Sequence, residues 1–208
     1  MDQRELSATT TGALRTALQG WQRGIWTAIP GIVKYYSAAD NTVTVQPAIR
    51  AVVVAHDPKT GDEKNTDVTL PQLIKVPVVQ IGGGGFLVDF QPATGDEVLV
   101  VFSSRCIDGW WQSGGVQKQT EWRAHDLNDG IAIPGLWSVP RVPAGIGGGG
   151  IKLRTVDNST YVHVTNGNVA IVGNLTVTGT MTNNGVNVGS THVHGGVQTG
   201  GSNTAVPH

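Results

Sequence analysis

From Asn158 to His208 the chain contains no Asp, Glu, Lys or Arg, and this 51-residue stretch of mostly Gly, Asn, Thr and Val limits the possible folds more than any other feature. Gly167, Gly173, Gly179 and Gly185 recur every six residues within it. Between them Val169, Ile171, Leu175, Val177 and Met181 share one parity. The other parity carries Asn168, Ala170, Val172, Asn174, Thr176, Thr178, Thr180 and Thr182. Period-two alternation predicts strands with the first set inward and the second, mostly polar, outward. The parity reverses at Gly185, after which Val186 and Val188 are the apolar positions, so a corner or bulge is expected near Asn184-Gly185.

A six-residue repeat suggests a β-helix, but one copy of this tail is too short to make one. A left-handed coil takes about three hexads, so the tail forms little more than one coil and buries no core. Its strands also lack the Lys and Glu that normally guard sheet edges. Both problems vanish when three copies wrap together, pairing every edge and burying the odd-numbered apolar face along a common axis. The expectation is an intertwined trimeric β-helix or β-prism shaft over residues 151–190, with Gly at its corners. A loose Gly/Thr/Asn tail is the plainer alternative.

The first 140 residues have ordinary globular patterning. Leu14, Leu18, Trp21 and Ile25 lie on one helical face, Ser7, Thr9 or Thr10 could cap that helix, and Pro30 is expected to end it. This gives a helical segment over residues 1–27. GIVKYYSAADNTVTVQPAI then reads as strand, turn, strand, with the corner at Ala39-Asp40-Asn41. Further strands are expected at 50–55, 68–80, 86–90 and 96–103, and DPKTGDEKNTD (57–67) reads as an exposed hairpin loop. Short strands at this spacing predict an all-β, OB-fold-like barrel over 28–139. PRVPAGIGGGG (140–150) reads as a neck.

Composition removes several function classes. Fourteen Lys and Arg against 15 Asp and Glu give a net charge of −1, which argues against a nucleic-acid binder relying on a basic face. No run approaches 18 apolar residues, and MDQRELSATTTG has no secretory character, so cytoplasmic synthesis is expected. Cys106 stands alone, which excludes an internal disulfide or a Cys-based zinc cluster.

The metal candidate is Thr191-His192-Val193-His194-Gly195-Gly196, in the apex segment 191–208. On a strand His192 and His194 point to the same side, and they continue the even parity of Val186 and Val188. In isolation a His-x-His is two exposed histidines. On a threefold axis the pair becomes six imidazoles in two layers, an octahedral site with no open position. Imidazole suits Fe, Ni, Cu and Zn, and the tetrahedral preference of zinc disfavours it here. A closed site is structural rather than catalytic.

GSTHVHGGVQTGGSNTAVPH strongly resembles the C-terminal tip of the central spike proteins of contractile-tailed phages, of the Mu and gpV type. PATGDEVLVVFSSRCIDGWW (92–111) and HDLNDGIAIPGL (125–136) are similar to the same family, so the resemblance spans most of residues 25–208. It implies a homotrimer with an N-terminal OB-fold domain, a triple-stranded β-helical shaft and a sharp apex. It further implies one iron ion per trimer, held by His192 and His194 of each chain. The implied protein is a virion component at the tail tip that pierces the host outer membrane on sheath contraction. Its N-terminal domain would dock on a hub or baseplate protein, and no nucleic acid or catalysis is involved. The shaft here is short for the family.

Other constellations point elsewhere less strongly. Ser103, Ser104, His125 and Asp126 lack a G-x-S-x-G elbow, and adjacent His and Asp do not make a triad. The GGGG runs at 82–85 and 147–150 lack the GK[ST] of a P-loop and are expected to serve turns or close chain packing. Trp110, Trp111, Trp122 and Trp137 could stack bases or sugars, with core or subunit-interface positions the expected alternative. His163, beside Tyr161, is expected on a surface or interface. The acids of 57–67 lack calcium-loop spacing. The rival functions are an OB-fold single-stranded nucleic-acid-binding protein with a low-complexity tail, and a carbohydrate-cleaving tailspike. The second would need paired carboxylates that the tail after Asp157 does not have.

Overall fold

The computed structural model describes residues 10–22, 24–56, 63–190 and 196. The chain is all-β apart from a short N-terminal helix and a few helical turns, and it divides into two compact units, Met1–Val142 and Pro143–His208.

The first unit opens with α1 (Thr10–Gln22), none of whose residues is buried. Leu14, Leu18 and Trp21 share a face as expected, but Ile25 falls beyond the helix. Pro30 does not end α1. It lies inside β1 (Ala28–Ser37), opposite Leu99. Ser7 and Thr9 lie outside the described residues.

β1 is followed by β2 (Thr42–Pro47), β3 (Ala51–His56), β4 (Glu63–Val68), β5 (Leu73–Pro77), β6 (Ile81–Gly83), β7 (Phe86–Val88), β8 (Glu97–Phe102), the helical turn α2 (Asp108–Ser113) and β9 (Gly130–Pro134). Five strands form one antiparallel sheet in the order β5-β2-β1-β8-β9. The sheet curls until its two ends meet. Just past β5, Val78 forms a parallel bridge with Ala132 of β9, and the Val79 N–H donates to the Ala132 carbonyl at 2.9 Å. Register shifts in the β1–β2 and β2–β5 pairings supply bends of the kind curvature needs.

Alternation explains which side chains fill the curl. Val98, Val100 and Phe102 of β8 point inward, as do Ile29 and Val33 of β1 and Val43 and Val45 of β2. Leu73, Val76, Val78 and Ala132 complete the cluster, and Trp26 packs edge-on against Phe102 at 6.2 Å. Asn41, in the left-handed region at φ 50°, turns β1 into β2 and pins that corner to the barrel seam. Its side-chain amide donates to the Val78 carbonyl at 2.9 Å, and its carbonyl accepts from the Val78 N–H at 3.0 Å.

Two hairpins stand apart from this sheet. β3 pairs with β4 from Ala51↔Val68 to His56↔Glu63, so the second half of the charged stretch is a strand rather than loop. β6 and β7 pair around Gly84-Gly85, both at positive φ, which makes the first GGGG run a tight two-residue hairpin turn.

In the second unit β10 (Ile151–Arg154), β11 (Tyr161–Thr165) and β12 (Asn168–Val172) form a three-stranded antiparallel meander. β13 (Thr182–Asn183) and β14 (Val186–Asn187) pair across Asn184-Gly185, both left-handed, so the parity change falls on a hairpin turn. Over 151–172, within the expected shaft, the strands pair with one another in the same chain.

A Cβ on Gly31 would stand 2.2 Å from Val45 Cγ1, so Gly31→Ala should destabilise the barrel by about 1–3 kcal/mol in urea denaturation, as overpacked cores do. Glu97 accepts hydrogen bonds from the Ser138 N–H (2.5 Å) and hydroxyl (2.7 Å), which with nearby Arg141 hold its carboxyl below the ordinary value. Because the folded value is depressed, this contribution is complete above the ordinary carboxylate range and is lost as pH falls through the lowered value. Ser138→Ala removes the hydroxyl bond but keeps the N–H bond, so it should flatten the acid limb of the stability–pH curve only in part, and Glu97→Gln should flatten it further.

Candidate functional site

The most unusual surface belongs to the second unit. Ile151 and Leu153 of β10 lie opposite Val164 and Val162 of β11, which lie opposite Val169 and Ile171 of β12. Cross-strand partners share a face, so these six residues form one continuous aliphatic patch. None is buried: Ile151 is 73% exposed and Val169 61%. Leu175, Val177, Met181, Val186 and Val188 are exposed as well, and no described residue after Val142 is buried. Isolated exposed apolar residues are normal, but a contiguous patch of this kind marks an interaction surface. Beyond Gly173, Asn174–Thr180 joins no strand ladder among the described residues. Its backbone groups are left for water or another chain.

The meander's other face is polar. Lys152 lies opposite His163 and Arg154 opposite Tyr161, with the Lys152 ammonium 3.6 Å above the Tyr161 ring. His163 stands edge-on to Tyr161 at 6.3 Å. His192 and His194 lie outside the described residues; the last strand pair, β13–β14, ends five residues before His192.

In the first unit the connection from β8 to β9 is locked by a buried charge. Asp129 is fully buried at the foot of β9. Its carboxylate accepts the Ile107 N–H at 3.0 Å and a two-pronged contact from Arg123, Nε at 2.8 Å and Nη2 at 3.1 Å. Arg123 also reaches Asp108 at 2.7 Å and Glu121 at 2.6 Å. Asp129 first, then Asp108, push the guanidinium above its ordinary pKa. One arginine thus ties together α2, the loop after it and the start of β9. Gly130 follows because a Cβ there would meet Val100 Cγ1 at 2.8 Å. The residue pattern alone offers little signal for this network, since nothing in the spacing of Asp108, Arg123 and Asp129 forms a motif. Cys106, Asp108 and Asp129 come close enough for a metal, but Arg123 already occupies both carboxylates.

That lock holds an aromatic loop away from the interior. Trp110 and Trp111 of α2 and Trp122 are exposed, Trp122 almost completely at 98%, and Trp137 is half-buried. None belongs to the core, which corrects the core position expected as one alternative; Trp26 takes that role. The hydrolase constellation does not assemble. Ser103 Oγ accepts from the Arg105 N–H, Asp126 caps the turn at Asn128, and buried His125 Nδ1 has no hydrogen-bond partner.

The family described as "Phage protein Gp138 N-terminal domain" matches residues 29–135, just over half of the chain. The chain belongs to this family. No curated protein matches it. Membership in the Gp138 N-terminal domain family makes this a phage protein and supports a structural role and association with the virion. The Gp138-type region begins one residue into β1 and ends one residue past β9, so it coincides with the curled sheet and includes the Asp129 lock. The aliphatic meander and the His-x-His segment lie beyond it. No described helix is long and apolar enough to cross a membrane.

Removing Arg123 should leave Asp129 buried and unpaired. Arg123→Ala should cost about 3–5 kcal/mol in chemical denaturation. Arg123→Lys should recover only part of this, since an ammonium cannot reproduce the two-pronged contact.

Proposed function

We propose that this phage protein is the central spike at the tip of a contractile tail, or of a related injection machine. It acts as a homotrimer that pierces the host outer membrane when the sheath contracts. The observation that carries the proposal is the unburied aliphatic face of Ile151, Leu153, Val162, Val164, Val169 and Ile171 at the root of a tail with no charge after Asp157. Three copies turned face-inward give that surface a shared core, and the unladdered Asn174–Thr180 segments gain partners across chains. The tip resemblance and the phage family point the same way.

The work is mechanical, with no catalytic step. A narrow apex concentrates force, and chain ends fray unless something ties them. His192 and His194 from three chains would hold one iron and fasten the three C-termini together. Metal-binding free energy then adds to the stability of the assembled tip. The uncharged shaft lowers the cost of passing through lipid, where charged side chains are expensive.

The curled sheet is the adaptor. β1 lies between β2 and β8, and the seam between β5 and β9 is parallel, an OB-type arrangement. Its exposed loops and α1, with Leu14, Leu18 and Trp21 uncovered, offer contacts to a hub at the end of the tail tube.

Elemental analysis of the purified protein should find about one iron for every three chains. The His192→Ala/His194→Ala pair should lose the iron, melt at lower temperature and reduce infectivity; unchanged melting and infectivity would contradict the fastening role. Leu153→Asp discriminates at the shaft. Leu153 is already 60% exposed in one chain, so the change costs a monomer little. In a face-inward trimer it buries unpaired carboxylates, and the trimer should dissociate.

A further inference from the structure

One concavity of the second unit gathers positive charge without a carboxylate to answer it. It encloses about 240 Å³ and is walled by the glycine run around Gly147, Gly148 and Gly149 on one side and by Lys152, Arg154 and His163 on the other. Lys152 and His163 are cross-strand partners, and Arg154 lies two residues along β10, so the three side chains project from one face. The ion pairs among the described residues all belong to Arg123. The nearest acid in sequence, Asp157, is engaged in its own turn, where hydrogen bonds from Thr155 and Ser159 hold its carboxyl below the ordinary range.

The three side chains are nonetheless held in place. Arg154 Nη1 donates to the Ala144 carbonyl at 2.8 Å, and His163 Nε2 meets the Gly149 carbonyl at 2.8 Å. Lys152 is fixed by the Tyr161 ring. These contacts leave the remaining guanidinium N–H groups and the ammonium protons of Lys152 available. The glycine wall carries no side chains, so a ligand can approach the backbone closely.

We infer that this pocket binds a phosphate group. Lys152 and Arg154, two cations on the same face of β10, supply the free donors. Two separate cations suit a doubly charged tetrahedral oxyanion better than a planar carboxylate, for which one arginine fork suffices. The pocket lies wholly within residues 145–163 and does not depend on the spike proposal. The phosphate could be free in solution or the headgroup of a lipid, and the test separates the two.

The full chain is titrated calorimetrically with inorganic phosphate at low salt. In parallel it is floated with phosphatidylcholine vesicles with and without phosphatidic acid. The variants are Lys152→Gln/Arg154→Gln and Gly148→Glu. The second has open space for its Cβ and no left-handed backbone, so it adds a repelling carboxylate without straining the fold. Saturable binding of free phosphate, weakened at least about tenfold in both variants, supports a site for soluble phosphate. Binding confined to phosphatidic acid vesicles, and weakened in both variants, supports a lipid headgroup site. Absence of binding in both arms, or binding that neither variant weakens, overturns the inference.

Discussion

A sheet face made only of aliphatic side chains cannot stay in water, and the rest of this architecture answers that constraint. The six residues of the β10–β12 face would each gain on the order of 1.5–3 kcal/mol from full burial. Among the described residues of the second unit nothing covers them, and none beyond Val142 is buried. The proposed trimer would supply the missing layer, with the face of each copy turned toward a common axis and buried against the other two.

The two units solve opposite problems. The curled sheet is self-sufficient: eleven buried apolar residues fill it, the Val78–Ala132 bridge closes it, and Asp129 with Arg123 fastens its longest connection. The second unit is the reverse, with no buried residue among those described beyond Val142. In the proposed spike the first unit would be the adaptor and the second a shaft completed on assembly.

Much of this was legible in the residues. The alternation in Glu97–Phe102 and Thr42–Pro47 predicted inward-facing strands, and Asn184-Gly185 announced its turn because two successive left-handed residues favour that pair. Other features were hidden for physical reasons. The β4 strand carries Lys, Asn and Asp because it pairs only with β3 in a solvated hairpin, so it lacks the apolar alternation of a core strand. The Asp129 lock depends on a loop folding back from α2, which local pattern does not encode. The tryptophans look like core residues by type, yet the lock holds Trp110, Trp111 and Trp122 outward. The apex pair, His192 and His194, lies outside the described residues, so its role rests on parity, spacing and resemblance.

The most direct measurement of the central claim is the native mass of the intact protein in solution. The account predicts a species of three chains, stable to dilution because the aliphatic faces are buried against one another. A single-chain mass at every concentration would contradict it, for it would mean that the face of Ile151, Leu153 and their partners is left in water.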